Sequence, residues 1–158
     1  MKAPRLAPRH RAATSLLAFA LLAAGHSVAI AAATPADSLN GRWATPSGGV
    51  VELGTCVEEV RDVTVCGHIV ALGGLDDRGR QDVRNPNPTL RARSVVGLKI
   101  LNGLHHTATG VWAAGDLYNP DDGHTYRGAV RLLGDDRLVL KGCALAVLCQ
   151  KQVWRRVP

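Results

Sequence analysis

Several features that usually announce a function are missing from this chain. No apolar run is long enough to cross a bilayer: the densest stretch, residues 16–24, is about half of the roughly 20 residues that a spanning helix needs. Gly25, His26 and Ser27 interrupt it. There is no Gly-x-Ser-x-Gly elbow, Ser47 falls in a turn and Ser94 follows a charged run, so no serine is set up as a nucleophile. Beyond Ser38 there is no helical period. The cysteines lack the C-x₂₋₄-C spacing of zinc sites, since nine residues separate Cys56 from Cys66 and five separate Cys143 from Cys149. No cysteine lies near residue 33, which excludes a lipid anchor there. Arg9 and Arg11 are split by His10, which breaks a twin-arginine signal and favours the general secretory route.

The first 33 residues differ chemically from the rest. A basic start (Lys2, Arg5, Arg9, Arg11) leads into the apolar run, and small residues close it, with Ala29-Ile30-Ala31 and Ala31-Ala32-Ala33 both fitting a signal peptidase. Residues 1–33 are therefore expected to be a cleavable secretory signal, and 34–158 a single domain. Cleavage after Ala33 leaves 125 residues, enough to bury about two-thirds of the unfolded surface. The net charge of +6 falls to +2, because four of the 19 basic residues and none of the 13 acidic ones lie in the signal. That balance gives no electrostatic case for nucleic acid. The expected location is the periplasm or the exterior, with no membrane span after cleavage.

An even set of four cysteines in an oxidising compartment predicts two disulfides. The sequence-local pairing, Cys56–Cys66 and Cys143–Cys149, is favoured because each pair brackets a strand-to-strand connection. Closing loops this short contributes roughly 2–3 kcal/mol each in the chain-entropy picture.

The remainder reads as short strands separated by turn chemistry, at the spacing of a sandwich or barrel. Strands are expected over 41–45, 50–53, 64–72, 97–101, 109–113, 117–118, 125–133, 137–143 and 149–157, with Asn102-Gly103 and a His-rich turn separating the fourth from the fifth. Tyr126, Gly128, Val130 and Leu132 share one face while Arg127 and Arg131 share the other, and Leu138 and Leu140 oppose Arg137 and Lys141. The fold class is thus all-β: one small antiparallel barrel of about eight or nine strands. Residues 73–94 break the pattern, being charged, proline-containing and aperiodic, and read as a long lid-like excursion with a short helix starting at Pro88.

An ordered set of segments resembles the exported bacterial family called domain of unknown function 2147. It runs from Gly41-Arg42-Trp43 and Ser47-Gly48-Gly49-Val50-Val51-Glu52 through Gly67-His68-Ile69-Val70 and Asp82-Val83-Arg84-Asn85-Pro86-Asn87-Pro88. It continues with Leu90-Arg91, Val96-Gly97-Leu98-Lys99-Ile100-Leu101 and residues 118–126, and ends with 138–142 and Gln152-Val153-Trp154-Arg155-Arg156-Val157. The chain departs from the family around 105–116, where Val111-Trp112-Ala113-Ala114-Gly115-Asp116 replaces a tryptophan–glycine–glycine run. The resemblance implies a lipocalin-like barrel in which Trp43 on the first strand is covered by Arg155 or Arg156 on the last. It brings no established activity.

Candidate site residues are weighed against structural roles. Tyr118, Asp121, Asp122, His124 and Tyr126 form the densest polar-aromatic cluster, readable as a ligand-binding mouth or as a tight Asn-Pro-Asp-Asp-Gly turn. His105, His106 and His124 with Asp121 would need two loops to meet to bind a metal, and none is expected. Asp82, Asn85 and Arg91 would clamp an anion or pin the excursion to the barrel. The carboxylate pairs Glu58-Glu59, Asp76-Asp77, Asp121-Asp122 and Asp135-Asp136 sit in hydrophilic turns.

The leading expectation is an exported protein that binds a small, partly apolar or amphipathic molecule. Trp112, Tyr118, Asp121, Asp122 and Tyr126 are the expected contacts, with Arg91 at a charged end. One alternative is an envelope interaction module whose barrel is filled by its own side chains. A third is a hydrolase using Asp121, Asp122 and His124. No cofactor is expected.

Overall fold

A computed structural model describes residues 38–56, 63–74, 80–145 and 147–158. Residues 1–33, the expected signal, and the pairs Glu58-Glu59 and Asp76-Asp77 lie outside the described residues. Eight strands follow in order: β1 Gly41–Ala44, β2 Val50–Thr55, β3 Thr64–Ala71, β4 Lys99–Ala108, β5 Val111–Asn119, β6 His124–Leu132, β7 Arg137–Ala144 and β8 Leu148–Val157. Each pairs antiparallel with the next, and β8 pairs back onto β1 to close a barrel. A 3-10 turn, Pro88–Leu90, starts at the expected proline, with the Asn87 side chain accepting the Thr89 amide.

Alternation makes the wall. On β7 Leu138 and Leu140 are buried between exposed Arg137 and Lys141; on β6 Gly128 and Val130 alternate with exposed Arg127 and Arg131. Both disulfides form, Cys56–Cys66 and Cys143–Cys149. The second joins residues directly opposite each other in the β7–β8 ladder.

The eight strands among the described residues fall within the expected eight or nine, with two corrections to their bounds. Asn102-Gly103 and His105-His106 lie inside β4, not in a turn, and Leu117 and Tyr118 continue the strand that begins at Val111. The turn is two residues long, Thr109-Gly110. At the former turn signal the ladder bulges instead: Gly103 and Ala114 both take positive φ (66° and 63°), and the β5–β6 register shifts between Ala113 and Gly115. Gly115 packs so tightly on β4 that a side chain there would strike the Asn102 carbonyl and the Leu104 amide. This bulge occupies the segment where the chain departs from the family pattern.

The end of the barrel where β1 begins is plugged. Trp43 is 0% exposed, donates its indole N–H to the Leu39 carbonyl at 3.0 Å, and lies under the Arg156 guanidinium at 4.2 Å. Arg156 also donates to the carbonyls of Ser38, Asn40 and Asp135 at 2.6–2.8 Å, tying the residues just before β1 and the β6–β7 turn across that end. Arg155 is exposed and takes no part in this stack. Leu53, Val65, Leu101, Leu104, Trp112, Val130 and Leu138, all buried, fill the barrel above it.

Candidate ligand cavity

A cavity of about 680 Å³ opens at the opposite end, among the β1–β2, β3–β4, β5–β6 and β7–β8 connections. Strand alternation sends Val51, Ile69, Leu117, Leu140 and Trp154 into it, and Ile100 joins them at the β3–β4 register shift, so the floor and walls are apolar. Space remains because other inward positions carry little side chain: Ala71 on β3, Gly142 and Ala144 on β7. The rim is polar, with Arg80, Asn119, Asp121, Asp122 and Tyr126. On β8 the inward face reads Leu148, Gln150, Gln152, Trp154 from rim to floor.

The rim at β5–β6 is a built turn. Asn119 accepts the Asp121 amide at 3.1 Å, while Asp122 accepts the His124 amide at 2.8 Å, the Asn119 side-chain amide at 2.8 Å and the Tyr126 hydroxyl at 2.7 Å. Burial alone would push the Asp122 carboxyl up, yet these hydrogen bonds, from Tyr126 first, hold it below the ordinary aspartate range. The same bond to Asp122 raises the Tyr126 phenol. Gly123 takes a φ of 77°, and any side chain there would strike the Arg84 carbonyl, because the excursion crosses the turn at this point.

The excursion is fastened by a buried carboxylate. Asp82 is 0% exposed; its Oδ1 accepts the Tyr118 hydroxyl at 2.5 Å, and its Oδ2 accepts Asn85 Nδ2 at 2.8 Å and Arg93 Nε and Nη2 at 2.9 and 2.8 Å. Asn85 bridges back to the Tyr118 hydroxyl at 3.1 Å. Burial by itself raises the Asp82 carboxyl, but the hydrogen bonds from Tyr118, Asn85 and Arg93 and the guanidinium charge bring it below its usual value. Tyr118 is pushed up, by burial and then by its bond to Asp82. Backbone bonds from Asp82 to Arg93 and from Val95 to Arg80 zip the two arms of the excursion together. A second tie, nearer the rim, is the Arg80–Asp121 ion pair.

The expected site residues separate into two groups. Tyr118, Asp121, Asp122 and Tyr126 line the cavity; Trp112 and Arg91 do not. Trp112 opens β5 in the plugged half, 1% exposed and edge-on to His106, because β4 and β5 run through the segment read as a turn. Arg91 lies exposed on the excursion and donates to the Asn85 carbonyl at 2.8 Å. The carboxylate partner of Asp82 is Arg93, not Arg91. His105 and His106, in β4 near the plug, lie at the other end from exposed His124, so the three histidines do not converge. Arg80, Gln150, Gln152 and Trp154 are cavity residues that sequence reasoning missed. The period-two run from Leu148 to Trp154 was the available signal for three of them.

Among solved structures the chain is similar to protein HP1028 of Helicobacter pylori, described as belonging to the lipocalin family. The two share 23% sequence identity with a TM-score of 0.64, over 76% of this chain and 83% of that one, which establishes the fold. No curated protein matches. The family pattern for "Uncharacterized protein conserved in bacteria (DUF2147)" matches residues 41–156, from the first barrel strand into the last, and the chain belongs to that family.

Proposed function

We propose that the protein is exported by the general secretory route, loses residues 1–33, and holds a small, largely apolar molecule in the open end of its barrel. The carrying observation is the cavity of about 680 Å³ with an apolar floor and polar rim. It falls within the range of about 300–1,000 Å³ typical of small-molecule sites. Tyr118, Asp121, Asp122 and Tyr126 would border the ligand at the rim, and Trp154 would meet it at the floor. The two disulfides fit a location outside the cytoplasm, in the periplasm or beyond. No helix among the described residues is long and apolar enough to cross a membrane. A cavity this large counts against a barrel packed solid by its own side chains, and Asp122, committed to its turn, is a poor candidate for hydrolytic chemistry.

Native mass spectrometry of the protein isolated from the periplasm without denaturant tests this. The expected spectrum shows a reproducible added mass that disappears on denaturation, on a chain beginning after residue 33. A bare chain from every preparation would refute the ligand reading.

A further inference from the structure

We propose that Gln152 selects the ligand by presenting an amide N–H to a neutral acceptor, a carbonyl or ester oxygen, on an otherwise apolar molecule. This rests on the reading that the cavity is a ligand site. The indole N–H of Trp154 donates to Gln152 Oε1 at 3.0 Å. An indole N–H only donates, so the oxygen of the amide must face Trp154, and the orientation of the group is fixed by chemistry. The Nε2 amine is then the end left for the cavity, which Gln152 lines, and it has no protein partner among the described residues. Trp154, 2% exposed and paired across the ladder with buried Leu138, holds the arrangement rigid.

Charge narrows the class. Among the described lining residues the one cation, Arg80, is paired with Asp121, and Asp122 sits beside it on the rim. An anionic ligand would meet two carboxylates and a guanidinium already engaged at the rim, whereas a neutral acceptor placed beside Leu140 and Trp154 meets the Gln152 amide. Around it Leu140, Ile100 and Trp154 supply apolar contact, and Gln152 lies directly across the ladder from Leu140. A ligand lacking an acceptor would strip water from Nε2 and leave the donor unpaired, which a site built to hydrogen-bond penalises.

Isothermal titration of the full mature protein with a matched pair of probes tests this: a ten-carbon methyl ketone, and the alkene in which a methylene replaces the ketone oxygen. The wild type is expected to prefer the ketone by about tenfold, the upper scale of one net hydrogen bond. Gln152→Leu and Gln152→Glu should both abolish the preference, the second while keeping an acceptor for the Trp154 indole. Gln150→Leu should leave it intact. Retained alkene binding in the Gln152→Leu variant shows that its cavity has folded. Equal binding of the two probes by the wild type, or an unchanged ratio in the Gln152 variants, overturns the role of Gln152 while leaving the cavity a ligand site. Failure of both probes to bind the wild type overturns both.

Discussion

The two ends of this barrel are built from the same alternating strands and are held shut and held open by different means. At the plugged end, inward positions carry Trp43, Leu53, Leu104, Trp112 and Leu138, and apolar burial does the fastening, with Arg156 laid over Trp43 as a cover. At the mouth, equivalent positions carry Ala71, Gly142 and Ala144, volume is left over, and the fastening passes to a buried carboxylate, Asp82, and an ion pair. Side-chain volume, placed position by position along each strand, thus decides whether a given level of a small barrel is core or pocket.

The comparison predicts that stability resides mainly in the plug. Trp43→Ala removes a fully buried indole, its hydrogen bond to Leu39 and the platform under Arg156. Its expected cost is about 3–5 kcal/mol, read from urea unfolding. A loss below about 1 kcal/mol would show that the plug is not the principal core.

A smaller effect, with a distinct signature, is expected at the mouth. Asp82→Ala leaves Tyr118 and Arg93 without their shared acceptor, at a cost of about 3 kcal/mol. This is the low end for a buried pair because Arg93 remains 38% exposed. The folded-state value of Asp82 is depressed, so its contribution is fully present above the ordinary aspartate value of about 3.9 and is lost as pH falls through the lower folded value. Wild-type unfolding midpoints should therefore drop below about pH 4, and those of Asp82→Ala should drop less over the same window. Parallel pH profiles would mean that Asp82 is not the acid-sensitive fastening.

What the sequence revealed follows the same division. The plug was legible through the family resemblance, which implies that Trp43 is covered by Arg155 or Arg156, although only the three-dimensional path selects Arg156. The alternation of β6 and β7 and the two local cysteine pairs were equally direct, since each is a short-range pattern. The β4–β5 hairpin was misread because a glycine after asparagine signals positive φ, and a bulge inside a strand requires the same conformation as a turn between strands. Trp112, expected as a ligand contact, consequently lies in the plugged half. In the aperiodic excursion, no spacing distinguishes Arg91 from Arg93 as the residue that turns inward. The cavity was hidden for a different reason: Ala71 and Ala144 are small residues 73 positions apart, and only barrel closure places their missing volume together.

The smallest stability effect tests the central claim most directly. Ala71→Phe with Ala144→Phe gives the mouth the side-chain volume that the plug already has, at inward positions bordering open space. Fluorescence titration with Nile red, a neutral apolar dye, would be run on the wild type and this double variant, beside their urea midpoints. The account predicts saturable one-to-one binding by the wild type, its loss in the variant, and stabilities within about 1 kcal/mol of each other. Dye binding of equal affinity in both proteins would contradict it, because the molecule would then be held somewhere other than the open end of the barrel.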